Sequence, residues 1–473
     1  MNTALLRISA VLALAACAAP PAPGTVRGAG IPSATIALSP AAADTSFYPA
    51  WSRNAVIYEV NVRQFTPEGT FAALEPHLPR LKGLGVDILW LMPIQPIGVQ
   101  NRKGGLGSYY SIRDYTAINP EHGTEADFKR FVDAAHRQGM RVILDWVANH
   151  TAHDHAWTRE HRNWYTLRSD GSISYPLDQQ GKETDWTDVA DLNFGNADMR
   201  RAMIREMRWW LDEMGIDGFR ADVAWGVPYE FWAEARPALV SAKPDLFLLA
   251  EAEDPRLHQW FHATYAWEMH HLLNEIAQGK KGTAELDPYF ARQDSLYGRG
   301  AYRMSFTSNH DENSWQGTEF ERMGRNHAPA FVLSATAQNS IPLLYTGQEA
   351  SLNKRLRFFE KDTVDWSGPS LAPFYSAMFG LKHTQPALGN GPWGAPQVKL
   401  QTDGGDRVYA FTRTQGANTV LVAVNFGDRT AAVGYQGLAQ PGAYTDWFSK
   451  DWVQLGAAGR LNIPAHGYRV LVR

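Results

Sequence analysis

Gly218-Phe219-Arg220-Ala221-Asp222 decides how this chain is read. A helix-patterned segment runs up to Gly215, a short apolar strand follows, and an arginine and an aspartate close it, two residues apart. Side chains at i and i+2 of a strand point to the same side, so Arg220 and Asp222 share their surroundings. A permanently charged guanidinium lowers the pKa of a neighbouring carboxylate. The expectation is therefore an Asp222 kept ionised by Arg220, as a nucleophile requires. A structural ion pair buried at a strand end would leave the same trace. The flanking segments decide between the two.

Strands alternate with helices on both sides of this stretch. Before it, 55–62 reads as a strand and 71–84 as a helix ending at Gly85. The almost wholly apolar 86–93 reads as a strand buried on both faces. Thr124 caps a helix that ends at Gly139, and 140–147 is the third strand. A polar, aromatic insertion over 151–196 precedes the helix 197–214. After the opening stretch come a helix at 228–240, strand five at 246–250 and strand six at 265–270, the last merging into a helix. Strand seven is placed at 302–307, a helix at 329–338 and strand eight at 341–345. Eight strand–helix units in series imply a closed (β/α)8 barrel more readily than an open sheet.

Beyond Leu388 the period changes to short alternating or β-branched runs at 397–401, 407–413, 419–425, 430–435 and 468–472, separated by turn residues. This pattern predicts a C-terminal antiparallel β-sandwich. The expected divisions are an export signal over 1–17, a tether over 18–46, the barrel over 47–387 and the sandwich over 388–473.

The composition excludes several partners. Lys plus Arg number 45 and Asp plus Glu 49, a net charge of -4, with no long run of one sign. Nucleic acid is not expected as a partner. Trp 17, Tyr 18 and Phe 21 provide many flat apolar faces, which fill cores and also stack on sugar rings. At the N-terminus, Arg7 precedes an apolar run too short to span a bilayer. It ends in Leu14-Ala15-Ala16-Cys17, which resembles the lipobox of bacterial lipoproteins. Cys17 is the one cysteine in the chain, so disulfides and thiol catalysis are not expected. Ala-, Pro- and Gly-rich sequence follows it, as in a flexible tether. The expectation is a lipidated Cys17 and a periplasmic or outer-membrane-anchored monomer of a Gram-negative bacterium, touching a membrane only through the lipid.

Barrel enzymes carry their chemistry at the C-terminal ends of the strands. Collected there are Tyr109 and Tyr110 after strand two, Asp145, Asn149 and His150 at strand three, and Arg220 and Asp222 at strand four. Glu251 and Glu253 follow strand five, and Asn309-His310-Asp311-Glu312 follows strand seven. Like charges brought together oppose each other's ionisation, so such a cluster is costly without a function. Two carboxyl groups, one ionised and one protonated, are what glycoside hydrolysis uses, and close spacing gives retention through a covalent intermediate.

Four stretches, Asp145 to His150, Gly218 to Asp222, Leu249-Ala250-Glu251 and Thr307 to Asp311, resemble the four motif regions of the α-amylase superfamily, glycoside hydrolase family 13, in order. Gly107 to Tyr110, Asp191-Leu192-Asn193 and Gly347-Gln348-Glu349 extend the similarity. The resemblance implies Asp222 as nucleophile, Glu251 as general acid and base, and Asp311 as stabiliser of the transition state. It implies Arg220 orienting Asp222, His150 and His310 hydrogen-bonding the sugar beside the scissile bond, and Tyr110 stacking on it. Asp145 belongs to the same substrate-binding set. Glu251 is preferred to Glu253 because it directly follows the apolar strand. The implied substrate is a starch-like α-glucan or maltooligosaccharide, with α-1,4 linkages favoured.

One departure concerns calcium. Asn149 matches a calcium ligand of many amylases, but Gly226 stands where a histidine supplies a backbone ligand, and Trp225 precedes it. The chemistry requires no cofactor and structural calcium is not favoured. Trp225 is instead a candidate platform on the leaving-group side. Other readings are a metal-dependent hydrolase using His153 and His155, a non-catalytic binding relative, and a transglycosylase with the same residues.

Overall fold

The computed structural model describes residues 45–473 apart from residue 299. Cys17, the 1–17 signal segment and all but the end of the 18–46 tether lie outside the described residues. Among the described residues, no helix is long and apolar enough to cross a membrane.

Strands β1 (Ile57–Val60), β2 (Ile88–Leu91) and β3 (Arg141–Val147) open the barrel. The insertion contributes a small antiparallel pair, β4 (His150–Ala152) with β5 (Val189–Asp191). Then come β6 (Gly218–Asp222), β7 (Phe247–Ala250), β8 (Ala263–Tyr265), β9 (Tyr302–Ser305) and β10 (Ser340–Tyr345). The order β1-β10-β9-β8-β7-β6-β3-β2 closes on itself, with parallel pairing throughout. This is the expected (β/α)8 barrel.

Strand alternation explains why the barrel strands read as continuous apolar runs. Ile57, Ile88, Trp90, Ile143, Phe247, Leu249, Tyr302 and Leu343 pack together inside the barrel. Their neighbours Tyr58, Leu89, Val142, Leu144, Phe219, Leu248 and Leu344 pack outward against the helices. Both faces are therefore buried. The inward rows end in polar residues at the C-terminal rim: Glu59 after Ile57, Asp145 after Ile143, Arg220 and Asp222 after Gly218, and Glu251 after Leu249. Gly218 is needed where it stands. Its φ is +147°, and a Cβ there would run into the carbonyl oxygen of Phe247 on the next strand.

Strand six departs from expectation. The strand is Ala263–Tyr265 and not 265–270, because a helix, Trp267–Ala277, already begins two residues after Tyr265. Residues 267–270 of the segment read as a strand are instead the first turn of that helix, which buries Met269 and His270.

The C-terminal region forms two sheets. They contain β11 (Gln397–Lys399), β12 (Gln401–Thr402), β13 (Val408–Gln415), β14 (Asn418–Asn425), β15 (Ala431–Gln436), β16 (Gly442–Asp446), β17 (Trp452–Leu455), β18 (Ala458–Ile463) and β19 (Gly467–Val472). Six strands run in the order β11-β13-β14-β19-β16-β17, and β12-β15-β18 make the second sheet. Leu421, Ala423, Val433, Leu461, Ile463 and Leu471 fill the space between them. Strands β16, β17 and β18 were not expected from the sequence. β17 and β18 are edge strands that expose half or more of their residues, so their apolar signal is weak.

Candidate active site

Each strand end delivers one part of the site. Arg220 on β6 is fully buried and lies between carboxylates from three strands. Its Nη1 donates to Asp145 Oδ1 at 2.7 Å and to Asp222 Oδ1 at 2.9 Å. Its Nη2 lies 3.0 Å from Glu251 Oε1, and its Nε donates to the Tyr265 hydroxyl at 3.1 Å. Register explains this assembly: Asp145 pairs with Arg220 and Val147 with Asp222 across β3 and β6, and Arg220 pairs with Leu249 across β6 and β7. One guanidinium thus organises three acids, as only a rigid planar fork can.

The electrostatics correct the expectation for Asp222. Burial outweighs the arginine: Asp222 and Glu251 are both pushed up to about 7, with Arg220 opposing. Asp145 rises to about 6 for the same reason. Arg220, joined at Asp145 by His310, does not offset the desolvation of three carboxylates, so the cluster holds a proton near neutrality. Asp145 has the best-supported anion, because its Oδ2 also accepts from Trp90 Nε1 at 3.2 Å and from the Tyr110 hydroxyl at 3.0 Å.

Glu251 has one further donor, the backbone N–H of Val223, 2.7 Å from Oε2. Val223 sits in the left-handed region at φ +46°, a strained conformation for a β-branched residue. The sharp turn after Asp222 is what aims that N–H at the acid. The turn continues into Ala224–Gly226 and leaves Trp225 38% exposed at the rim.

His310 and Asp311 follow β9. His310 Nε2 lies 2.8 Å from the Tyr110 hydroxyl and 3.2 Å from Asp311 Oδ2, and Nδ1 pairs with Glu59. The Tyr110 ring stacks on His310 at 5.4 Å. Burial pushes Asp311 up, but His310 holds it below its ordinary value. Its side chain keeps 35% of its surface exposed, so it faces the opening. His150 meets the carbonyl of Tyr110 and packs edge-on to Trp186 at 5.9 Å. Burial lowers its pKa to about 4, so it acts as a neutral ring.

Glu253 points elsewhere, pairing with Arg303 and accepting from the Glu268 N–H at 2.9 Å. Glu312 pairs with His270 Nε2 at 2.9 Å. His155 Nδ1 accepts from the Trp157 N–H at 3.1 Å, and among the described residues no group of three or more His, Cys, Asp or Glu is placed to hold a metal ion. Asn149 lies 3.3 Å from His150 Nδ1, and a Cβ at Gly226 would meet its carboxamide oxygen at 2.9 Å. Asp191 accepts from Thr166 and from the Leu177 N–H. Asn149 thus turns its carboxamide nitrogen to His150 and its oxygen toward Gly226, while the Asp191 carboxylate is engaged by Thr166 and Leu177.

Sequence reasoning missed Glu59, Trp90, Tyr265, Val223 and Trp186. Trp90 and Tyr265 read as core aromatics, and their polar atoms matter only once the barrel closes. Glu59 had a signal, an acid inside an otherwise apolar strand.

Fold and site together define a (β/α)8-barrel protein of the carboxylate-cluster class, with acids delivered by strands three, four, five and seven. The alpha amylase catalytic-domain model matches residues 44–368, and the alpha amylase C-terminal all-beta domain model matches 400–468. The chain belongs to the α-amylase family. It is 31% identical over 428 residues to alpha-amylase MalA of Haloarcula japonica, covering 86% of this chain and 60% of that one. It is 35% identical over 257 residues to trehalose synthase/amylase TreS of Mycolicibacterium smegmatis, covering 44% and 41% respectively. The noncanonic maltogenic alpha-amylase AmyB of Thermotoga neapolitana superposes with a TM-score of 0.80 at 29% identity, covering 89% of this chain and 98% of that one.

Proposed function

We propose that this protein is a retaining glycosidase that hydrolyses α-glucosidic bonds, α-1,4 bonds above all, in starch-like glucans or maltooligosaccharides. The observation that carries the proposal is the pair Asp222 and Glu251, held by the two terminal nitrogens of one guanidinium. That arrangement keeps nucleophile and acid close, as retention requires.

In this reading protonated Glu251 gives its proton to the glycosidic oxygen while Asp222 attacks the anomeric carbon. The C–O bond to the leaving sugar breaks and a glycosyl ester forms on Asp222. Glu251, now ionised, takes a proton from water, which attacks the same carbon and frees Asp222. Asp311 and Asp145 supply the fixed negative charge that an oxocarbenium-like transition state needs. Tyr110, His150 and His310 hold the sugar in front of the cleavage point, and Trp225 offers a stacking face behind it. No cofactor enters this scheme.

The experiment is proton NMR of the anomeric signals during digestion of maltoheptaose. α-Anomers appearing before mutarotation support the reading; β-anomers first would overturn it, as would an Asp222→Asn variant with normal turnover. Similarity to an enzyme named trehalose synthase/amylase favours glycosyl transfer as a second reading, and products longer than the substrate would reveal it. The Leu14-Ala15-Ala16-Cys17 stretch supports export, with a periplasmic or outer-membrane-anchored monomer as the working form. Radiolabelled palmitate incorporation that is lost in Cys17→Ser tests the anchor.

A further inference from the structure

The rim of the barrel beneath Asp311 contains a charged group that the reaction above leaves without a role. Glu59 ends the inward row of β1 and is fully buried. Thr346 holds its backbone in place, donating from both N–H and hydroxyl to the Glu59 carbonyl at 3.0 and 2.7 Å. The Glu59 carboxylate pairs through Oε1 with His310 Nδ1, and among the described residues no group hydrogen-bonds Oε2.

The geometry around the imidazole is informative. A neutral histidine has one N–H and one lone pair on its ring. Here Nδ1 faces the Glu59 carboxylate and Nε2 lies 3.2 Å from the Asp311 carboxylate. The Tyr110 hydroxyl, 2.8 Å from Nε2, has one proton and gives it to Asp145 Oδ2 at 3.0 Å, so it meets Nε2 as an acceptor. With Nδ1 facing Glu59 and Nε2 facing Tyr110 and Asp311, both ring nitrogens face acceptors, and the imidazolium satisfies both ends.

We propose that Glu59 is a positioning residue: it keeps His310 an imidazolium and fixes its ring so that an N–H is always presented to Asp311 and to the bound sugar. The sugar part of this inference rests on the glycosidase reading; the charge state of His310 does not. Glu59 and Asp311 differ in their fitness for the task. Asp311 is partly exposed and must turn to hydroxyl groups of the substrate, whereas Glu59 is immobile on a barrel strand. When Asp311 engages the sugar, Glu59 is the counter-charge that remains. Tyr110, stacked at 5.4 Å, and Trp90, edge-on to the ring at 5.9 Å, pack against the imidazole and hold its plane.

The remaining groups around His310 agree. Burial raises the Glu59 pKa, and His310 above all, then Arg220 on β6, oppose that rise, while Asp145 on β3 adds negative charge that favours the imidazolium. Burial works against the positive ring, but Asp311 and Glu59 together carry its pKa well above the ordinary value.

The test uses the full chain and two readouts. Side-chain proton–nitrogen NMR, with the His310 signal identified by its loss in His310→Gln, reports protonation directly. The wild-type ring should remain doubly protonated from roughly pH 5.5 to 8.5. In Glu59→Gln it should titrate inside that window, and in Glu59→Asp, which keeps the charge, it should not. In turnover of maltoheptaose, the alkaline limb of kcat/KM should fall by about one pH unit in Glu59→Gln, the size of one lost opposite charge, and be restored in Glu59→Asp. A neutral His310 in the wild type overturns the inference, as does an unchanged titration or limb in Glu59→Gln. If the wild type turns over no α-glucan, the glycosidase reading fails while the NMR measurement still decides the role of Glu59. If Glu59→Gln does not fold, the smaller neutral variant Glu59→Ser takes its place in both readouts.

Discussion

Arg220 lies 3.0 Å from Glu251 through one terminal nitrogen, and the other is already shared between Asp145 and Asp222 at 2.7 and 2.9 Å. Three acids from three strands therefore depend on one cation. In Arg220→Gln, Asp222 loses the charge that opposes its protonation. The acidic limb of kcat/KM, set by ionisation of the nucleophile, should move up by about 1–2 pH units. A pH–rate profile on maltoheptaose checks this.

The same cluster makes the site a weak point for stability. The folded pKa values of Asp222 and Glu251 lie above those of the unfolded chain. A raised carboxyl contributes stability at low pH, and that contribution fades as pH rises from the ordinary carboxylate range through about 7. Asp222→Asn should therefore raise Tm more at pH 8 than at pH 5, by about 1–2 °C. Calorimetry at both pH values shows the difference; a larger gain at the acidic end would refute it.

Glu251 and Asp222 are separable by substrate. Glu251→Gln should lower turnover of maltoheptaose on the order of 10³-fold, yet spare much of the activity on an α-glucosyl fluoride, whose leaving group needs no proton. Asp222→Asn should lose both activities. Parallel assays of the two variants on the two substrates assign the roles.

Val223 is held at φ +46° with its N–H on Glu251. Val223→Gly relieves strain of about 1 kcal/mol but loosens the turn that aims this N–H. The expected result is a slightly higher Tm with a kcat lowered several-fold. A gain in both would show that the strain has no catalytic use.

Arg413 on β13 joins the C-terminal sheets to the barrel. Fully buried, it donates to the carbonyls of Ala395, Thr336, Ala337 and Gly389 at 2.9 to 3.3 Å. Arg413→Met leaves four carbonyls without that donor and should cost about 3 kcal/mol. Calorimetry should show a lower Tm, while KM for maltoheptaose stays unchanged because Arg413 is no part of the site.

The sequence alone determined the order of strands and helices, the barrel, the all-β C-terminal region, and the kinds of residue at each strand end. These are local matters: periodicity, caps and the alternation of side chains are written within a few residues of one another. Asp145, Arg220, Asp222, Glu251, His310 and Asp311 were legible for that reason, and the structure brings them together. The weaker elements were not, since edge strands such as Ala458–Ile463 and the short Ala263–Tyr265 have little apolar pattern of their own.

Tertiary structure alone decided which charges meet and which proton stays. Glu59 and His310 are 251 residues apart, and Tyr265 reaches Arg220 across 45. Barrel closure sets both distances, and closure also removes the water that would have kept Asp222 ionised. The arginine two residues away suggested a permanently charged aspartate, but desolvation by the closed barrel outweighs that neighbour. Burial is a property of the whole fold, and no stretch of sequence states it.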